Sequence, residues 1–387
     1  MEFREEIKES LTLKFAEAAV ERRKNNLPII SLGLGEPEFR TPNEIIEATI
    51  EVLRSKNSNY SSPMGIQSLR EKIAARLKRE NNINSQADNI IITPGAKQAF
   101  QLITMTLLKP EDEVIVLSPS FVSFIPQLFI AEPRCKIVEI DVNKEDLSLD
   151  LNEIKSAITP KTKLLVLNTP NNPAGYILDQ PTLKAIYDLA VENNFYIISD
   201  EIYEKLIYGE SEHFSIGSLE KEPTKVITIN GFSKSHAMTG WRIGYACFPL
   251  VLKTNLLKLQ QHTNTNTCTF IQEGLDISFN HDYKYLTEYN YKLKNRMSLY
   301  SEFLDSTPLV KGFVPSAGFF AFMDIKDTNI DSNTFCGRLI KETGVATTPG
   351  IAFGKNWDDH VRFSFATSDD NVIEGLNLVK NFIKTSL

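Results

Sequence analysis

The chain of 387 residues is too long for one small core and predicts two or three packed units, one large and one small. Its 42% hydrophobic and 24% charged residues fit an ordinary globular protein, and a formal net charge of −7 excludes a general nucleic-acid binder, which needs a basic face. No apolar run approaches the roughly 18 residues that span a bilayer, and MEFREEIKES carries charge from its second residue, so a cytoplasmic protein without membrane attachment is expected. Cys135, Cys247, Cys268 and Cys336 form no CxxC pair and the five histidines are scattered, so reduced thiols and no metal site are expected.

In chain order, residues 5–24 predict an amphipathic helix with Ile7, Leu11, Phe15 and Ala18 on one face. The Gly- and Pro-rich loop SLGLGEPEFRTP follows, then helices over 43–55 and 66–79, the second striped by Ile66, Leu69, Ile73 and Leu77. From residue 90 the rhythm changes. Short β-branched runs (89–92, 113–117, 136–140, 163–168, 195–199, 225–230 and 242–248) alternate with helical patterns such as 97–108 and 181–193. Runs apolar on both faces predict strands covered by helices on both sides, an α/β unit with a mainly parallel sheet. A long helical region to about 305, a hairpin-like FVPSAGFFAFMDI, a helix near 331–343, short strands and a last helix near 369–384 predict a smaller α+β unit, with the N-terminal helix packed on it. The expected division is 1–45, 46–280 and 281–387.

Ligands of parallel α/β sheets bind beyond the carboxyl ends of the strands. The segments there are TPGAKQ, SPSF, NTPNNPAG, DEIYE and GFSKSHAMTGWR. They bring polar groups to one edge: Asn172, Asp200, Tyr203, Ser233, Lys234 and Arg242. Lys234, in a Ser-Lys-Ser loop, is an amine that a lowered pKa would let condense with a carbonyl cofactor; alone it would read as a solvent-facing lysine. Asp200 after a buried strand can hold a pyridine nitrogen protonated, or simply cap a helix. Tyr203 falls one helical turn later, where a cap alone would not require it. Asn172 sits in a proline-fixed turn and is also a common turn former. The backbone N–H groups of Gly95, Ala96 and Lys97 at a helix start make an anion seat, to which Ser233 and Arg242 add donors. Gly33 and Gly35 lack a third glycine at position 38 and a βαβ setting, which rejects a dinucleotide fingerprint.

GEPEFRTP, NTPNNPAG, SDEIYEKLIY, NGFSKSHAMTGWRIGY and VRFSFA occur in order over about 28–367 and resemble the class I/II aminotransferases of pyridoxal-phosphate (PLP) fold type I, in their aspartate/aromatic branch. The resemblance implies that Lys234 forms the imine with pyridoxal 5'-phosphate and shuttles the proton. It implies that Asp200 pairs with the ring nitrogen, that Tyr203 and Asn172 contact the ring oxygen, and that Phe121 stacks on the ring. Ala96, Lys97, Ser233 and Arg242 would hold the phosphate, with Tyr60 reaching it from the neighbouring subunit of a homodimer. Arg362 would grip the substrate α-carboxylate, with Asn172 and Gly35 also touching substrate. The implied reaction is ping-pong transfer of an amino group from an amino acid to a 2-oxo acid such as 2-oxoglutarate. A carbon–sulfur β-lyase on the same fold is the alternative, and a non-catalytic PLP-binding regulator a remote one. SPSF in place of an aromatic-rich segment, Gly231 ahead of the lysine, and Glu38 and Arg40 in place of aspartates are departures that leave the amino donor open.

Overall fold

A computed structural model describes Ile7, residues 9–279 and residues 283–386. Residues 5, 6 and 8 of the expected first helix, and residues 280 and 281 at the expected boundary between the units, lie outside the described residues.

The first described helix, α1 (Leu11–Lys24), is preceded by Glu9 and Ser10 outside any helix and by a bend at Ile7, where the apolar pattern suggested helix. It buries Phe15 and Ala19. Next come β1 (Ile30–Ser31), α2 (Asn43–Ser55), α3 (Gln67–Asn81), β2 (Ile90–Thr93), α4 (Ala96–Leu107), β3 (Glu113–Ser118), α5 (Phe124–Ala131), β4 (Lys136–Asp141), α6 (Leu151–Ala157) and β5 (Thr162–Asn168). They are followed by α7 (Gln180–Glu192), β6 (Tyr196–Asp200), β7 (Val226–Gly231) and β8 (Gly244–Cys247). The start of α7 shows why the helices begin where they do. The Asp179 side chain accepts from the Thr182 N–H and Pro181 stands in the first turn, where its missing N–H costs nothing.

β2 to β8 form one seven-stranded sheet in the order β2-β8-β7-β6-β5-β3-β4. Only β8 runs antiparallel, pairing with β2 on one side and β7 on the other. Every residue of β2, β7 and β8 is buried, as helix cover on both faces requires. Each such Ile or Val side chain contributes about 1.5–3 kcal/mol by leaving water.

The expected long helical region is three helices, α8 (Lys253–Thr263), α9 (Thr269–Ser278) and α10 (Lys284–Asp305). Then come β9 (Lys311–Gly312), β10 (Phe320–Asp324), α11 (Ser332–Thr343), β11 (Val345–Ala346), β12 (Thr348–Pro349), β13 (His360–Ser364) and α12 (Asp369–Ser386). The expected hairpin is real but begins earlier, with β9 antiparallel to β10. β12, β13, β10 and β9 make a four-stranded sheet, β1 pairs in parallel with β11, and α1 packs against β11 and β12, so the N-terminal helix joins the smaller unit as expected.

Candidate active site

The chain topology delivers the polar residues to one edge. Because β8 is antiparallel and Gly244 pairs with both Thr93 and Gly231, its first residue lies at the same edge where β2 and β7 end. Arg242, just before β8, therefore stands beside Gly95 and Ser233, which follow those strands. Asp200 is the last residue of β6, Asn172 follows β5 and Phe121 follows β3.

These segments enclose a cavity of about 480 Å³. Lys234, Asp200, Tyr203, Asn172, Ser233 and Arg242 line it, as do Ala96, Lys97, Phe121, Gly35 and Arg362. Gly95 is not a lining residue but stands against Arg242, which is. Its φ of +83° suits glycine, and a Cβ there would meet the Arg242 guanidinium at 2.5 Å. Gly95 is the N-cap of α4 and no side chain caps that helix, so its first amides face the cavity end where Lys97 and Arg242 also stand. The two cations repel. Desolvation and then the neighbouring Arg242 hold the Lys97 pKa below its ordinary value. Arg242 adopts a left-handed backbone (φ +56°), an uncommon state for a side-chain-bearing residue, and its guanidinium donates to Thr239 O at 2.8 Å and Pro94 O at 3.2 Å. Together these groups form an anion seat.

At the centre, the Lys234 ammonium donates to the carbonyl of Gly35 and lies about 6 Å from the Tyr203 and Phe319 rings. Burial, only partly offset by Glu36, lowers its pKa to about 8, and the Arg362 and Arg242 charges push the same way. Asp200 is buried and accepts from the Ile202 N–H at 3.2 Å. Desolvation raises its pKa to about 7, and the Glu201 charge adds to the rise. A turn follows Asp200 rather than a helix, so Tyr203 reaches the cavity through that turn and not through helical spacing. Burial also raises the Tyr203 pKa.

Arg362, on β13, is buried. It donates to Asn172 Oδ1 at 3.0 Å and Gly33 O at 2.8 Å, and lies 4.2 Å over the Phe320 ring. Its Nε is buried with no partner, and desolvation lowers its pKa to about 10. A buried guanidinium whose bonds go to neutral oxygens, with a donor left over, is a ready carboxylate site.

Tyr60 is not in this cavity. It is 88% exposed on the isolated chain. Behind Asp200, Glu201, Glu204 and His213 bring ligand atoms within 4.8 Å of one another. Arg76 already sits on Glu204 at 2.8 Å, and Ser199 and Ser215 donate to Glu201 at 2.9 and 2.8 Å.

Comparisons with known proteins identify the family. The sequence model described as "Aminotransferase class I and II" matches residues 28–377. The chain belongs to the class I and II aminotransferases. An aspartate aminotransferase of Pyrococcus abyssi is 37% identical over 92% of each chain, and aromatic-amino-acid aminotransferase 2 of Thermococcus litoralis is 36% identical over the same shares. Among solved structures, the Thermus thermophilus aspartate aminotransferase with maleate superposes with a TM-score of 0.93 at 35% identity, covering 98% of both chains. This aminotransferase is therefore a transferase of amino groups between amino acids and 2-oxo acids, in a family that works with pyridoxal phosphate, and the β-lyase and regulator alternatives are not favoured.

Sequence reasoning missed several walls of the aminotransferase cavity. Thr12, Leu13 and Ala16 of α1 close one side, and Leu34, Glu36 and Phe320 others. Thr12 and Ala16 are spaced to share a helix face, but nothing in the chain order links that face to β13. No described helix is long and apolar enough to cross a membrane.

Proposed function

We propose that the cavity holds pyridoxal 5'-phosphate and transaminates L-amino acids carrying an acidic or aromatic side chain. The observation that carries this reading is the buried Arg362 with its orphan Nε, lining the same cavity as Lys234, an amine whose pKa is lowered to about 8. One group recognises a carboxylate and the other moves a proton.

The residues suit the cofactor. The first amides of α4, Ser233 and Arg242 would hold its phosphate, and Asp200, a buried carboxylate raised to about 7, would accept from its ring N–H. Tyr203 and Asn172 would donate to its ring oxygen, and Phe121 would cover one ring face. When bound, the group supplies an aldehyde for amine exchange and an electron-accepting ring.

Arg362 orients the amino acid by its α-carboxylate, with Asn172 and Gly35 beside it. Lys234 Nζ takes the proton from the substrate Cα and would deliver it to the carbon of the bound group that carried the aldehyde. A pKa near 8 keeps a useful fraction of that amine neutral at physiological pH. Phe121, Phe320 and the α1 side chains exclude water from the exchange.

Substrate choice follows from what is left. With Lys234, Arg242 and Arg362 assigned, Lys97 would give its backbone N–H to the phosphate and turn its ammonium, 5.5 Å over the Phe121 ring, to a distal carboxylate, while Leu13, Leu34 and the Phe rings suit an aromatic side chain. Relatives named for aspartate and for aromatic amino acids fit both. The reading extends to a cytoplasmic homodimer in which Tyr60 reaches the partner's phosphate seat, with the chain divided at 1–45, 46–280 and 281–387.

The test is a panel of amino acids with 2-oxoglutarate, reading glutamate formed, together with borohydride trapping. Glutamate from an acidic or aromatic donor and a tag on Lys234 are expected. A tag elsewhere, or no glutamate from any donor, overturns the proposal.

A further inference from the structure

The segment between β12 and β13 leads directly into the strand of Arg362, and it is fastened to the central sheet as well as to its own unit, where Asp358 O and Asp359 O accept from the Ser332 and Ile325 N–H groups at 2.8 Å. Trp357 is fully buried. Its indole N–H points at Asp141 Oδ1 (2.8 Å) and Ser118 Oγ (3.1 Å), the last residues of β4 and β3. The Asn356 amide donates to the other Asp141 oxygen at 2.6 Å. Lys144 bonds Asn356 O at 2.6 Å and Asp359 at 2.7 Å, and lies 5.3 Å over the indole. The Ser120 N–H closes on Phe353 O at 2.8 Å. Gly354 (φ +155°) permits the approach, since a Cβ there would stand 2.5 Å from Ser118 Oγ.

Both ends of this fastening reach the cavity. Ser118 and Ser120 lead into Phe121. On the other side, the Phe322 ring packs on Trp357 at 5.4 Å and on Phe353 at 5.8 Å, and Phe353 lies under the Arg362 guanidinium at 4.9 Å. His360, the first residue of β13, contacts the indole at 4.8 Å.

We propose that Trp357 and Asp141 are a positioning pair that sets where Arg362 stands relative to the Phe121 wall, and so governs affinity for substrate carboxylates. This rests on the reading of Arg362 as the carboxylate site. Phe at 357 keeps the ring but leaves one Asp141 oxygen without its donor. Asn at 141 turns one of its two acceptors into a donor facing either Trp357 or Asn356. In each case the segment ahead of the strand loses one of its fastenings to the central sheet, and small misplacements of a carboxylate clamp are costly.

The experiment uses the PLP-loaded enzyme and three variants: Trp357→Phe, Asp141→Asn and the double variant. KM for the best amino donor and for 2-oxoglutarate, and the dissociation constant of maleate read from the cofactor absorption, are expected to rise about tenfold in each single variant. kcat should stay within about twofold and the resting absorption should be unchanged. The double variant should lose clearly less than the two single losses combined, because both substitutions break the same Trp357–Asp141 bond. If Trp357→Phe does not fold, Asp141→Asn decides alone. Unchanged KM and maleate affinity, a fall in kcat at constant KM, or additive losses overturn the proposal. Arg362→Lys is the companion control. Wild-type maleate affinity in that variant would sink the Arg362 reading itself, whatever the anchor variants do.

Discussion

Two opposite titrations meet at Lys234 and Asp200, each shifted toward its neutral form by burial. Only a neutral amine attacks an aldehyde, so uptake of pyridoxal phosphate by the cofactor-free protein should accelerate as pH rises through about 8. Stopped-flow absorbance checks this, and a flat profile across that value would contradict the lowered pKa. Lys234→Ala should abolish turnover even with the cofactor bound, whereas near-normal turnover would move the base elsewhere. For Asp200 the folded pKa, about 7, lies above the ordinary 3.8, so its neutral form stabilises the fold. That contribution is complete below 3.8 and is lost as pH rises to about 7. Thermal melts of the cofactor-free Asp200→Asn variant should therefore gain on wild type as pH climbs through this window, then run level above it. The same substitution should cut activity by orders of magnitude. A gain that appears equally at acid pH would mean the carboxyl is not buried as described.

The secondary-structure elements explain which parts were legible beforehand. Runs such as III at 90–92 and VIVL at 114–117 read as strands because a sheet buried on both faces needs no polar alternation. The residues at the ends of those strands followed from the rule that places ligands at the carboxyl edge. Tyr203 was found for the wrong local reason, since turns rather than a helix follow Asp200. Thr12 and Phe320 were invisible because their place depends on α1 and β10 meeting the central sheet, which no local period encodes. Phe320 stood only in a hairpin-like stretch of the sequence, yet its ring lies under Arg362. Gly95 at the head of α4 offers the element-scale test. Ala at that φ would cost about 1–3 kcal/mol and push on Arg242. Gly95→Ala should weaken cofactor affinity roughly tenfold or more, measured by equilibrium dialysis, while Lys234 still accepts a borohydride tag.

At the scale of the whole molecule, Tyr60 is a residue the single chain leaves unexplained: an aromatic side chain 88% exposed that does not line its own cavity. If a second copy uses it, mixing inactive Lys234→Ala with impaired Tyr60→Ala subunits should restore activity, because each hybrid carries one intact site. No recovery after demonstrated subunit exchange would separate Tyr60 from the site. The orphaned Nε of Arg362 has a practical consequence for anyone handling the protein. Citrate or acetate in a storage buffer would settle on the guanidinium, raise the melting temperature and slow the measured reaction competitively. Preparations kept in an uncharged or amine buffer should look less stable and more active than the same protein kept in an organic acid.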